Sequence, residues 1–301
     1  VVSLSGLRAI AALAEQGSIT AAAAYLGYST SAVSQQIARL ERDVQQPLVD
    51  RRGRRVTLTP AGMAVSASAE RIVLELERMT AEVQAQADTV TGTLRIAAFP
   101  TAARGLVPAA VAALGSDWPA LEVSLIEADS HRAVDLAARG TVDIAVAHDW
   151  PETPLEPSPD MRRQSLGEDV SDLLVAADHP LARLDTVRLT TLADETWLYE
   201  PGSVAHDLLQ HVFGELGAPG RIAHIVREYA TQIEMVGVGA GIALVPRMGR
   251  GLLPATVRAV QVDPPPTRRI YAVWRRSISR RPAVRVAAQA LAAAAGAPPV
   301  K

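Results

Sequence analysis

At 301 residues with 49% hydrophobic residues, the chain is long enough for two or three cores, and its composition excludes general disorder. It has no cysteine, which removes disulfides, thiolate nucleophiles and cysteine-type zinc sites together. The net charge of −2 is unevenly spread: residues 1–62 carry seven Arg against four acids, and the remainder is acidic. Charge acts over about the Debye length, roughly 10 Å at 0.1 M salt, so a local surplus matters more than the total. The positive charge is almost wholly guanidinium, because Lys301 is the one lysine. No apolar run reaches the roughly 18 residues needed to cross a bilayer, and the start lacks a basic leader and a small-residue cleavage site. A cytoplasmic protein is expected.

Leu4, Leu7, Ile10, Leu13 and Ala14 recur at helical spacing, and Gly17-Ser18 ends that helix and offers a serine cap for the next. A short second helix follows over 21–26. Gly27 supplies the permissive backbone of a tight turn, and Ser29 or Thr30 caps a third helix over about 31–43, with Val33, Ile37 and Leu40 on one face. The opposite face presents Thr30, Ser31, Ser34, Gln35 and Arg39. Short polar groups near a helix N-terminus, with a cation farther along, suit the major groove of duplex DNA. There an amide can pair with adenine, hydroxyls serve either strand, and arginines meet phosphates. Downstream, residues 50–58 form a strand-turn-strand pattern with Arg51, Arg52, Arg54 and Arg55 around Gly53. It reads as a wing whose guanidinium groups fix register on the DNA backbone or enter the minor groove, with binding that weakens as salt rises.

In order and spacing, several segments resemble the signature of the LysR-type transcriptional regulators. They are Ala21-Ala22-Ala23-Ala24-Tyr25-Leu26, Ser31-Ala32-Val33-Ser34-Gln35-Gln36-Ile37, Leu40-Glu41, Pro47-Leu48, Arg51 and Leu58-Thr59-Pro60-Ala61-Gly62. Thr30, Gln45 and Val49 depart from it, standing where that family favours Gln, Gly and Phe. The resemblance implies an N-terminal all-α winged helix-turn-helix over 1–58 and a linker and dimerisation helix over 59–91. An α/β effector domain over 92–301 follows, two-lobed and similar to periplasmic binding proteins. Lobe I would hold about 92–160 and 266–301, and lobe II about 161–265. The implied partners are partly palindromic promoter DNA, an unidentified small-molecule effector, a second copy of the chain with assembly to a tetramer, and RNA polymerase. No cofactor, metal or membrane is implied.

Thr59 before Pro60 is a strong helix start, and the next proline is Pro100. Val65, Ala69, Ile72, Leu76, Met79, Val83 and Val90 keep a heptad spacing broken at Gln86, a seam along which two copies can zip. From Gly92, short strands alternate with helices, over 93–98, 121–127 and 142–147. After the proline-rich acidic stretch 151–160 come strands near 173–176, 196–199, 222–226 and 242–245. The pattern predicts parallel α/β. A strand over 269–274 and an Ala-rich helix over 281–295 return to the first lobe if the family architecture holds.

Open α/β sheets bind ligands beyond the carboxyl ends of their strands. Those turns hold Thr101, Ser130 and His148, and the facing lobe offers Pro201, Gly202, Ser203 and Thr231, at positions the resemblance assigns to the effector. Ser130 and Ser203 also read as helix caps, and His148 as a loop contact of Trp150. The run Gly237-Val238-Gly239-Ala240-Gly241 looks like part of a dinucleotide loop but follows a helix and precedes a strand, so it reads as a helix C-cap. There is no His-Glu-x-x-His, Walker lysine or Gly-x-Ser-x-Gly, and the expected function is regulation and not catalysis. A solute-binding protein, or an enzyme on the same α/β sensor fold, is the alternative; either leaves the winged helix without a use.

Overall fold

The computed structural model describes residues 1–50, 56–86, 90–199, 204–215 and 221–296. The chain forms two compact units, 1–86 and 87–301. Arg51, Arg52, Arg54 and Arg55 of the wing, and Pro201, Gly202 and Ser203 of the expected effector site, lie outside the described residues.

The first unit comprises α1 (Leu4–Gln16), α2 (Ile19–Leu26), α3 (Thr30–Val44), β1 (Val49–Asp50), β2 (Thr57–Leu58) and α4 (Pro60–Ala85). One device starts all four helices. The hydroxyls of Ser3, Ser18, Ser29 and Thr59 accept from the N–H groups of Gly6, Ala21, Ala32 and Gly62 at 3.2, 3.1, 3.2 and 3.0 Å. Gly17 and Gly27 end α1 and α2 with left-handed backbone, as their sequence positions predict. Gln45 ends α3 in the same conformation at φ 55°, among the described residues the one non-glycine with positive φ. Departure from glycine there costs about 1–2 kcal/mol. Leu7, Ile10, Leu13, Val33, Ile37, Leu40 and Leu48 form the core, each worth roughly 1.5–3 kcal/mol on full burial. The carboxylate of Glu41 accepts from the N–H groups of Leu48 and Val49 at 2.8 and 3.1 Å, tying the end of α3 to the first wing strand, which pairs antiparallel with the second.

Val65 and Ala69 of α4 pack on that core, whereas Ile72, Met79 and Val83 stand 44%, 53% and 65% exposed. The expected helix over 59–91 is shorter than its heptads suggest. It stops at Ala85, and Val90 is buried in the core of the second unit, so Val90 leaves the seam. Burial of its side chain there outweighs the heptad register.

The second unit begins with β3 (Gly92–Ala98), α5 (Pro100–Gly105), α6 (Val107–Asp117), β4 (Leu121–Glu127), α7 (Ser130–Ala138) and β5 (Ile144–Asp149). It continues through β6 (Met161–Ala176), β7 (Thr186–Val187), β8 (Thr196–Tyr199), α8 (Val204–Glu215), β9 (Arg221–Ile225) and α9 (Tyr229–Gly237). It closes with β10 (Ala243–Pro246), β11 (Val257–Val262), β12 (Thr267–Arg275) and α10 (Pro282–Ala294). The strand order is β4-β3-β5-β12-β6-β11-β7, with β10 also on β6, and β8 and β9 form a separate parallel pair. β3 runs parallel to β4 and β5, but β12 is antiparallel to both β5 and β6, so the sheet is mixed rather than parallel.

Lobe I is covered on both faces, which the two-residue period of its strands makes visible. Ile96, Ile144, Val146 and Ile270 pack with α6 and α10, while Ala97, Ala145, Ala147 and Tyr271 pack with α7. Lobe II repeats the arrangement around Leu173 and Val175 on one face of β6 and Leu174 on the other. The sequence reading starts lobe II at 161, but residues 161–170 of β6 pair with β12, and β10 takes over at Ser171. The lobe boundary therefore falls inside one continuous strand. Its first half contains Arg162, Arg163, Glu168 and Asp169, which gave no apolar pattern to read. Among the described residues no helix is long and apolar enough to cross a membrane, and no cluster of side chains is suited to a metal ion.

Candidate functional site

Two surfaces carry the sequence-predicted residues. On α3, Thr30, Ser31, Gln35 and Arg39 are exposed and Ser34 is half-buried; Ser31, Gln35 and Arg39 lie away from buried Val33, Ile37 and Leu40, while Thr30 and Ser34 flank that stripe. Ser29, rather than Thr30, is the cap, and its hydroxyl also pairs with that of Ser31 at 2.9 Å. Gly6 of α1 keeps this helix close: a Cβ there would lie 3.2 Å from Leu40 Cβ. The polar face is thus presented on a rigid support, as base-reading side chains require.

The second surface lies at the carboxyl ends of the lobe I strands. Thr101 follows β3, Ser130 follows β4 and His148 belongs to β5; the two hydroxyl residues are each 1% exposed and His148 is 8% exposed. The structure brings all three into one cluster. The backbone N–H of His148 donates to Ser130 Oγ at 3.0 Å, and the imidazole meets the Phe99 ring edge-on at 4.5 Å between centroids. Phe99 also has the Arg268 guanidinium 4.9 Å from its centroid, and Arg268 Nη2 donates to Thr101 Oγ1 at 2.7 Å. Burial first, then electrostatic interaction with Arg268 and His131, holds the His148 pKa well below its usual value, so the ring is neutral at pH 7. Among the described residues its buried Nδ1 has no hydrogen-bond partner. Thr231 is not part of this cluster: it is exposed in the first turn of α9, where its hydroxyl donates to Glu228 at 2.9 Å.

Arg268 and Asp169 escaped the sequence reading. Arg268, 1% exposed, donates through Nε and Nη2 to one oxygen of Asp169 at 3.0 and 2.7 Å; the other oxygen accepts from the Met248 N–H at 3.0 Å. The pair sits where β6 passes between lobes. Beside it the Ser171 N–H donates to the Pro266 carbonyl, and the Arg247 N–H donates to that of Val170, each at 2.9 Å. Asp172 is held by Arg247 and Arg250 at 2.7 and 2.8 Å. Burial pushes its carboxyl up, but the hydrogen bonds and charges of those arginines outweigh burial and leave its pKa below the ordinary value. Backbone contact joins the lobes here too, since a Cβ on Gly249 would lie 2.6 Å from the Thr101 carbonyl oxygen. Across the lobes, His131 of α7 meets Asp207 of α8 at 3.3 Å. The cluster gathers two buried hydroxyls, a neutral imidazole and an aromatic edge, and among the described residues it contains no activated nucleophile.

Comparison with known proteins matches both units. Residues 4–63 match the family described as bacterial regulatory helix-turn-helix protein, lysR family, and residues 87–296 match the LysR substrate binding domain. A probable hydrogen peroxide-inducible genes activator of Mycobacterium avium is 29% identical over 92% of this chain and 89% of its own. A cysteine-to-aspartate variant of full-length OxyR from Pseudomonas aeruginosa shares the fold with a TM-score of 0.68 at 22% identity, covering 97% of this chain and 98% of its own. Full-length CbnR complexed with its target DNA shares it with a TM-score of 0.54 at 22% identity, covering 97% and 99%.

Proposed function

Since the chain belongs to the LysR family, and so is a DNA-binding transcriptional regulator with an effector-binding domain and not an enzyme, we propose how its parts act together. A homodimer paired along α4, assembling further to a tetramer, reads a partly palindromic promoter site in the cytoplasm. The α3 faces enter successive major grooves and the wing arginines Arg51, Arg52, Arg54 and Arg55 hold the backbone. A small effector enclosed between the lobes at Thr101, Ser130 and His148, with Pro201, Gly202, Ser203 and Thr231 as the facing contacts, shifts the lobe arrangement and with it the spacing of the DNA-reading units. RNA polymerase reads out that change. A ligand moves such an equilibrium only by its differential affinity for the two states, so operator DNA must change effector affinity by the same factor.

The exposed polar face of α3, with Gln35 opposite the buried Val33, Ile37 and Leu40, carries the DNA half of the reading. Hydrogen peroxide, for which the mycobacterial relative is named, does not transfer as the inducer by a thiol route, because a chain without cysteine has no thiolate to oxidise. The test is selection of preferred duplexes from a random pool. Enrichment of a partly palindromic motif supports the reading, and no enrichment at low salt overturns it. Gln35→Ala is expected to lose about 1–3 kcal/mol of discrimination at one base pair. Arg39→Ala is expected to weaken all sequences alike and lower the salt slope by about 1. Uniform weakening by Gln35→Ala would displace it from base reading.

A further inference from the structure

The turn between α2 and α3 is a Schellman motif. The Gly27 N–H donates to the Ala24 carbonyl at 3.4 Å and the Tyr28 N–H to the Ala23 carbonyl at 2.9 Å, with Gly27 in left-handed backbone at φ 68°. In such a cap the residue after the glycine commonly packs its side chain back on the last turns of the helix. Here the residues that would receive it, Ala22 and Ala23, are already 0% and 2% exposed in the core, and Tyr28 is left 51% exposed. Its backbone is fixed while its ring is not spent. Among the described residues the Tyr28 hydroxyl has no hydrogen-bond partner.

A helix-turn-helix lays its first helix across the phosphate backbone and sends the N-terminal end of the second into the major groove. The residue that joins them stands at the lip of the groove, where the sugar-phosphate wall passes. Tyr28 is that residue, directly before the Ser29 cap of α3. The hydroxyls of Ser29 and Ser31 beside it are paired with each other at 2.9 Å. The first cation of α3 is Arg39, nine residues beyond Thr30 and so roughly 14 Å farther along the helix axis. A phosphate at the N-terminal end of α3 is out of reach of that charge and needs a neutral donor. A phenol supplies one, and tyrosine is among the side chains that donate to phosphate oxygens. With the backbone already set by the cap, only two side-chain torsions are left to order on binding.

We propose that Tyr28 is a DNA contact: its ring lies against the sugar-phosphate wall and its hydroxyl donates to a phosphate oxygen, which fixes the depth and register of α3 without adding charge. This rests on the reading that α3 enters the major groove. A neutral donor releases no counterion, so the affinity it adds does not fall as salt rises, unlike that of an arginine contact.

The test is binding of the full-length protein to a duplex carrying the motif enriched from a random pool, and to its single-base-pair variants, over about 50 to 200 mM salt. Tyr28→Phe, which keeps the ring, is expected to weaken all of these duplexes alike by about 3- to 10-fold, with the slope of log affinity against log salt unchanged. Tyr28→Ala, which removes the ring as well, weakens them further. Both variants are expected to keep the urea midpoint of the parent protein, since the side chain is exposed. Gln35→Ala, measured on the same duplexes, tests the placement of α3 independently. Wild-type affinity in Tyr28→Phe, while Gln35→Ala relaxes one base pair, overturns the phosphate contact and leaves that placement standing. A loss in Tyr28→Phe confined to one base pair, or one that changes the salt slope, also overturns the neutral phosphate contact. Wild-type affinity in Tyr28→Phe together with uniform weakening by Gln35→Ala overturns both.

Discussion

Burial has altered the chemistry of His148, and the consequence is a stability that depends on pH. Above about pH 6.5 the ring is neutral in the folded and unfolded chains alike. Below that, the unfolded chain takes up a proton that the folded chain refuses, because its pKa is lowered by burial and then by Arg268 and His131. Stability present above about pH 6.5 is therefore lost as pH falls toward the folded pKa, by up to about 1.4 kcal/mol per pH unit. His148→Leu should remove about 1.4 kcal/mol of the loss in unfolding free energy between about pH 7.5 and 5.5, read from urea titrations at each pH. Equal losses would mean that the native ring accepts the proton. The position of His148, like those of Thr101 and Ser130, was legible because each falls at the carboxyl end of a strand recognisable from its own apolar run. Arg268 and Asp169 were not legible. They meet as cross-strand partners 99 residues apart, and one arginine among so many carries no local mark of its burial.

Among the elements, the junction of wing and α4 turns on Gly62. A Cβ at this position would overlap the Leu48 carbonyl oxygen, and that carbonyl accepts the Thr59 N–H at 3.0 Å. Gly62→Ala is therefore expected to destabilise the first unit by about 1–3 kcal/mol although alanine is the better helix former, read as a lower urea midpoint in circular dichroism. An unchanged midpoint would show that the wing base yields freely. In sequence, Gly62 was a letter in a motif; the reason for it needed the third dimension. The four capped helices were readable because Ser, Thr, Gly and Pro act within a few residues of themselves. β6 was half-readable for the opposite reason: Leu173 to Ala176 are fully covered and apolar, while residues 161–170 bear charges held by partners on distant strands.

For the whole molecule, Ile72, Met79 and Val83 are the exposed remainder of the heptad seam, and assembly is the natural cover for them. Because they contribute nothing to the buried core of a single chain, Ile72→Asp with Met79→Asp should leave the circular dichroism of the fold intact. On the proposed pairing along α4, the same pair should convert the sedimenting species from dimer or tetramer to monomer. A variant that still sediments as a dimer would move the pairing surface elsewhere. The topology also has a consequence for synthesis. β12 lies between β5 and β6 in the sheet but is among the last elements to be made. While the ribosome is still producing lobe II, the strands of lobe I have emerged with an open slot in the middle of their sheet. The earliest strands of the sensor are thus completed last, and a message truncated before residue 267 yields a sheet missing its centre rather than its fringe.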